Sequence, residues 1–163
     1  MWCKTSYVAH TNGYCRFEAG VTTIQSHPHV ENLIAVGRYD SLRVLLLNDT
    51  SCFHSYNNMV TLFDRRKASV ALSEVDVGGG VWRIKWNPQE NRKGDLLAAC
   101  MRDGFKVLRY EDGMWQGQVV QRFDDHDSLA YGVDWSFEPP GEDGKQLVGS
   151  CSFYDHMLHI WRA

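Results

Sequence analysis

The feature that most restricts what this chain can fold into is an internal repeat of short, sheet-forming units. Three stretches lie over one another: VTTIQSHP from Val21, VWRIKWNP from Val81 and AYGVDWSF from Ala130. Each sets a small or apolar residue three positions ahead of an aliphatic one, as Val21/Ile24, Val81/Ile84 and Ala130/Val133, and Trp86 and Trp135 then occupy equivalent places. After each comes a second apolar run that closes on aspartate: NLIAVGRYD at Asp40, DLLAACMRD at Asp103 and QLVGSCSFYD at Asp155. A third run follows, VTLFD from Val60, FKVL from Phe105 and MLHIW from Met157, and weaker fourth runs are ALSEVDV (71–77) and QGQVVQRF (116–123). Alternation, β-branched residues and small residues mark these runs as strands. Aspartate suits the tight turns between them, because its carboxylate accepts backbone N–H groups there.

Four short strands per unit, with FD and IW endings, predict an all-β fold: a partial WD40 β-propeller of about three four-stranded blades. The blades are expected at about 18–77, 78–123 and 124–163. Val81 and Ala130 are 49 residues apart, and Val21 and Val81 are 60 apart. A blade of this type takes roughly 40–45 residues, so the first unit is overlong by about 17. The excess is assigned to an insertion at 41–59, SLRVLLLNDTSCFHSYNNM, expected as a loop or hairpin projecting from one face.

Composition narrows the functional classes. An apolar fraction of 44% and a charged fraction of 23% describe a globular chain. A net charge of −3 gives no steering toward nucleic acid or anionic membrane. The longest aliphatic run, LRVLLL at 42–47, is too short to span a bilayer, and MWCKTSYVAH lacks the apolar core of a signal peptide. Five cysteines without a CxxC pair read as reduced thiols, and a cytoplasmic location is expected. GGG at 78–80 is followed by the strand-like VWRIKW rather than by a helix, so it reads as a turn and not as a phosphate loop. HPH at 27–29 has no carboxylate at ligand spacing, and neither metal nor cofactor is expected.

The tail, GSCSFYDHMLHIWRA (149–163), holds the residue types of a hydrolytic site. A nucleophilic triad needs an exposed Ser beside a His, with an oxyanion pocket, and GSCS does not match the G-x-S-x-G elbow. The reading preferred here is a polar brace within the blade. His126 lies four residues before Ala130, Ser150 or Ser152 lies in the second strand, Asp155 at the turn, and Trp161 six residues on. A buried Asp needs donors, and an imidazole can bridge it to a hydroxyl. A second set comes from superposing the repeats. Tyr39, Arg102 and Tyr154 precede the turn aspartates, while Thr22, Trp82 and Tyr131 stand second in the first strands. Such positions ring one mouth of a propeller channel, where aromatic faces suit peptide or cation recognition.

GGGVWRIKWNP (78–88), LLAACMRDGFKVL (96–108), HDSLAYGVDWS (126–136) and CSFYDHMLHIW (151–161) resemble the WD-repeat methylesterases of diphthamide biosynthesis. GVTTIQSHPHVENLIAVGRYD (20–40) fits the same family, and WCKT at 2–5 resembles a WDTR that ends an earlier blade, with Cys3 in place of its Asp. The resemblance implies removal of a methyl ester from methylated diphthine, a modified histidine of translation elongation factor 2 that carries a trimethylammonium group. The elongation factor would then be the protein partner. A ring of about seven blades is implied, of which this chain holds roughly the last three. Two apolar end faces would be left bare, so the isolated chain is expected to be marginal or prone to aggregate.

For the implied reaction the candidate bases are His156 and His126, and the candidate nucleophiles Ser128 and Cys151. Arg83, Lys85 and Arg102 are candidate oxyanion partners. The candidate substrate-binding set is Trp82, Tyr131, Tyr39, Arg102 and Tyr154. A non-catalytic interaction scaffold and an inactive fragment are the alternatives, because a fold does not by itself determine a function.

Overall fold

The structure, a computed structural model, describes residues 20–39, 58–64, 66, 70–111 and 116–163. The described chain is eleven strands in three antiparallel sheets. Sheet I runs β1 (Gly20–Ser26), β2 (Leu33–Tyr39), β3 (Met59–Asp64) and β4 (Ala71–Asp76), each strand paired with the next. Sheet II repeats the order with β5 (Arg83–Trp86), β6 (Asp95–Ala99), β7 (Phe105–Tyr110) and β8 (Gly117–Phe123). Sheet III has β9 (Ala130–Trp135), β10 (Leu147–Ser152) and β11 (Leu158–Arg162), with β10 in the middle. The third unit thus differs from the expected four strands. Among the described residues the outer edge of β11 carries no partner strand.

The 41–59 segment lies outside the described residues except for Asn58 and Met59, and so do the Asp40 turn and the WCKT stretch. Met59 opens β3, and Asn58 is buried beside it, its side chain donating to the Gly78 carbonyl at 3.1 Å.

Alternation explains how the sheets stack, since successive side chains in a strand point to opposite faces. Leu33, Ala35, Val60 and Leu62 of sheet I pack against Ile84, Trp86, Leu96, Ala98, Leu108 and Tyr110 of sheet II. The other face of sheet II, with Leu97, Ala99, Phe105 and Val107, packs on Val133, Trp135, Val148 and Trp161 of sheet III. Truncating a fully buried leucine at either interface would cost about 2–5 kcal/mol.

The repeat-equivalent residues divide by neighbourhood. Val81, Ile84, Ala130 and Val133 are buried, whereas Val21 and Ile24 are 48% and 65% exposed. The first strands of sheets II and III lie against a preceding sheet, and β1 has none before it among the described residues. At the opposite end Leu158 and Ile160 are 68% and 64% exposed. Their counterparts in sheet II, Phe105 and Val107, are buried against sheet III.

Polar groups tie the sheets together at several points. The Trp135 indole N–H donates to the Lys85 carbonyl at 3.0 Å, and the Trp86 backbone N–H to the Gln25 side chain at 2.6 Å. The His27 Nδ1 accepts the N–H groups of His29 (3.0 Å) and Val30 (2.9 Å), so its proton sits on Nε2, which donates to the Lys93 carbonyl at 2.9 Å. The HPH stretch is therefore a turn lock between sheets I and II. Asp95, buried, is gripped by Arg92 (2.6 Å) and Arg109 (2.7 Å), and Arg92 also donates to the Ala163 carbonyl at 2.7 Å.

The three glycines ahead of β5 make the crossing between sheets I and II. Gly78 has a φ of +74°, and a Cβ on Gly80 would collide with the Tyr39 ring.

Candidate functional site

The polar tail forms a directional relay inside sheet III. Trp161 Nε1 can only donate, and it does so to Ser150 Oγ at 3.1 Å. At the other end the Asp155 carboxylate accepts from the Ser152 hydroxyl. Between them lies His126, with Nε2 at 2.9 Å from Ser150 Oγ and Nδ1 at 2.5 Å from Ser152 Oγ. One neutral arrangement satisfies all of these contacts. Ser150 donates to Nε2, the Nδ1–H donates to Ser152, and Ser152 donates to Asp155. Each hydroxyl then gives one hydrogen bond and takes one. The four residues predicted as a brace are thus brought together, and Ser150 and Ser152 both take part.

The relay is closed to a substrate. The His126 side chain is 2% exposed and Ser150 is 1% exposed. His126 is enclosed by Phe105 at 5.0 Å, Phe123 at 5.9 Å and His159 at 4.3 Å between ring centroids, and Phe123 stacks on Trp161 at 4.7 Å. Burial, assisted by His159, pushes the His126 pKa below its ordinary 6.5, which keeps the neutral form at pH 7. The Ser152 hydrogen bond, with the Met157 N–H, holds the Asp155 carboxyl below the usual carboxylate range. With both nitrogens engaged and no open face, His126 has no lone pair to offer an ester.

Among the described residues, no hydrogen bond or ion pair joins the other candidate catalytic residues to one another. Ser128 Oγ accepts the Tyr154 N–H at 3.1 Å. Cys151 is exposed and lies on the face of β10 opposite to Ser150 and Ser152, so the sheet separates it from His126. His156 is exposed, at a φ of +57° in the β10–β11 turn, and its imidazole makes no hydrogen bond among the described residues. Of the basic candidates, Lys85 is paired with Asp134 at 2.7 Å. Arg102 is exposed in the β6–β7 turn. Arg83 lines a cleft of about 560 Å³ together with Val21, Thr22, Thr23, Ile24 and Trp82.

A row of aromatic rings begins at that cleft. Trp82 lies 5.0 Å from Tyr131, Tyr131 lies 5.3 Å from Phe153, and Phe153 lies 5.0 Å from Tyr154. Trp82, Phe153 and Tyr154 are exposed, and interplanar angles of 50°, 32° and 84° turn the rings through tilted and edge-on contacts. Three of the five residues expected to bind substrate, Trp82, Tyr131 and Tyr154, therefore share one surface. Among the described residues Tyr39 makes no ring contact with them. Its ring is half-buried over the Gly80 backbone.

Phe153 is the member that sequence reasoning passed over, although the QLVGSCSFYD run places it beside Tyr154. Also missed was a cluster in sheet II. Lys106, buried, donates to the Val77 carbonyl and to the Asp103 carboxylate, which Arg122 also contacts at 2.9 Å. Burial raises the Asp103 pKa, and the two cations more than offset it, so that the carboxyl titrates below its usual range.

The stacked antiparallel sheets define a WD40 β-propeller fold. One chain of the crystal structure of a mitotic checkpoint complex superposes with a TM-score of 0.64 at 14% identity, covering 92% of this chain and 39% of that one. That likeness speaks for the fold alone. No protein-family model matches the sequence.

Among curated proteins, the diphthine methyltransferase homolog of Dictyostelium discoideum is 39% identical over 152 residues, 90% of this chain and 36% of the relative. The diphthine methyltransferase of Homo sapiens is 38% identical over 75% of this chain and 24% of its own length, and that of Saccharomyces cerevisiae 37% identical over 88% and 37%. The chain belongs to the diphthine methyltransferase family. It spans about a quarter to somewhat over a third of the length of these relatives.

Proposed function

We propose that this chain is part of an enzyme that cleaves the methyl ester of methylated diphthine on translation elongation factor 2. The relatives' name joins diphthine and a methyl group in one reaction. With water accepting the acyl group, that reaction is an ester hydrolysis. Water adds to the ester carbonyl, methoxide leaves and takes a proton, and a carboxylate and methanol result. The observation that carries the reading is the aromatic row, because the trimethylammonium of diphthine fits exposed aromatic faces at roughly 0.5–2 kcal/mol per good contact. Arg83, beside Trp82 at the head of the row, is the guanidinium assigned to the ester oxygen as it gains charge. His156, in the same turn as Phe153 and Tyr154, is an exposed imidazole that makes no contact with Arg83 among the described residues.

The test is methanol release from methylated diphthine on the elongation factor by the full-length protein. Trp82→Ala is expected to raise KM by about 2- to 30-fold, the range that one lost cation–π contact covers. Absence of methanol release, or a gain of methyl mass on diphthine, would remove the hydrolysis reading. An unchanged KM would remove the aromatic row from substrate binding.

A second reading, a scaffold for protein partners, is favoured by the relay, because His126, Ser150, Ser152 and Asp155 are engaged with one another as enclosed structural groups. Methanol release separates the two.

A further inference from the structure

The aromatic row has two differently held ends. Trp82 and Tyr131 stand at the starts of β5 and β9, where the backbone is anchored by the Trp82 N–H to the Ala99 carbonyl at 2.8 Å and by the Ala130 N–H to the Met101 carbonyl at 2.8 Å. Phe153 and Tyr154 are a dipeptide in a turn, between Ser152 and Asp155. Both of those flanking residues are members of the relay. Among the described residues, the hydrogen bond on the dipeptide's backbone runs from the Tyr154 N–H to Ser128, two residues from His126 on the same connection. The turn and the connection are thus pinned to each other through His126 on one side and Ser128 on the other.

We infer that His126 is a positioning residue for the Phe153–Tyr154 arm of the aromatic row, and that cation binding on this surface weakens as His126 takes up a proton. The inference rests on reading the aromatic row as a cation-binding surface. Its physical basis is the direction of the relay. A second imidazole proton on Nε2 faces Ser150, whose hydroxyl already points at that nitrogen. Ser150 must then turn its own proton away from Nε2 and give up that hydrogen bond, a loss that is costly for a hydroxyl 1% exposed.

The groups that face His126 are few. His159 on β11 lies 4.3 Å away by ring centroids, and Asp155 in the turn has Oδ2 3.8 Å from Nδ1. Asp125 acts on it from its own connection. β7 and β8 present Phe105 and Phe123, which do not titrate. Because burial and His159 lower the His126 pKa, the neutral relay holds at pH 7 and is lost only as pH falls below the ordinary histidine value.

The experiment measures tetramethylammonium binding to the full-length protein from pH 8 to pH 5 by calorimetry, since this probe has no proton to lose. The expected result is a fall in affinity of about 2- to 5-fold on the acid side of pH 6.5, the loss of one surface cation–π contact. His126→Gln keeps one donor and one acceptor but gains no charge, and its affinity is expected to be flat with pH. His159→Gln is expected to keep the fall. In the unsubstituted protein, the protection of the Tyr154 amide, its hydrogen-exchange rate relative to the intrinsic rate at each pH, should fall over the same pH interval.

Equal pH dependence in His126→Gln and the parent protein would overturn the positioning role. So would a Tyr154 protection, referred to the intrinsic exchange rate, that shows no step with pH. A protein that binds the probe equally at every pH keeps the aromatic surface and loses the inference, whereas one that never binds it loses both. Methanol release is measured independently of either.

Discussion

Ser150→Ala is the sharpest perturbation of the brace. One hydroxyl, 1% exposed, serves two buried partners: it accepts from Trp161 Nε1 at 3.1 Å and donates to His126 Nε2 at 2.9 Å. Alanine leaves an indole donor and an imidazole acceptor without partners in a buried site. Each orphaned group costs about 1–3 kcal/mol, so the substitution should destabilise by about 2–6 kcal/mol. Removing a methyl-sized oxygen from a packed interior adds little beside this. Urea unfolding followed by far-UV circular dichroism on the full-length protein reads the loss as a lower midpoint at constant slope. The pairing makes a second, stricter demand. Trp161→Phe removes the donor itself, so the double variant should be more stable than the sum of the single losses predicts by about 1 kcal/mol. A Ser150→Ala midpoint within about 0.5 kcal/mol of the parent, or strict additivity of the two substitutions, would refute the relay as drawn.

Two further outcomes are expected. Asp95→Asn removes the charge that Arg92 and Arg109 share and should cost about 1.5–3 kcal/mol in the same urea assay, because Arg92 stays largely enclosed. Ile160→Asp together with Leu158→Asp places charge on an exposed apolar sheet face, and should reduce self-association of the 163-residue chain in sedimentation without loss of its strand signal. A parent chain that already sediments as a compact monomer would contradict the expectation of sticky end faces.

How much was legible in the sequence follows from the range of each interaction. The strands of sheets II and III, their turn aspartates and the tail brace are written in spacings of a few residues. Ser150, Ser152, Asp155 and Trp161 lie within twelve residues of one another, and strand alternation alone sends Ser150, Ser152 and Trp161 to one side. Burial is what separates a brace from a triad, and no spacing reports burial. The same limit applies to Val21 and Ile24. They match their repeat partners in type but differ in environment, because exposure depends on whether a sheet stands in front of them.

The aromatic surface shows the division most directly. Local chemistry determined that this chain would form short twisted strands joined by aspartate turns, since alternation and turn propensity act between near neighbours. Tertiary structure alone decided which rings meet. Trp82 and Tyr131 sit on different sheets, Phe153 bridges them to Tyr154 from a turn, and the Tyr39 ring rests on Gly80. The physical reason is that ring contacts depend on how the sheets are set against one another, and that geometry is fixed by the buried side chains between them rather than by the residues that end up at the surface.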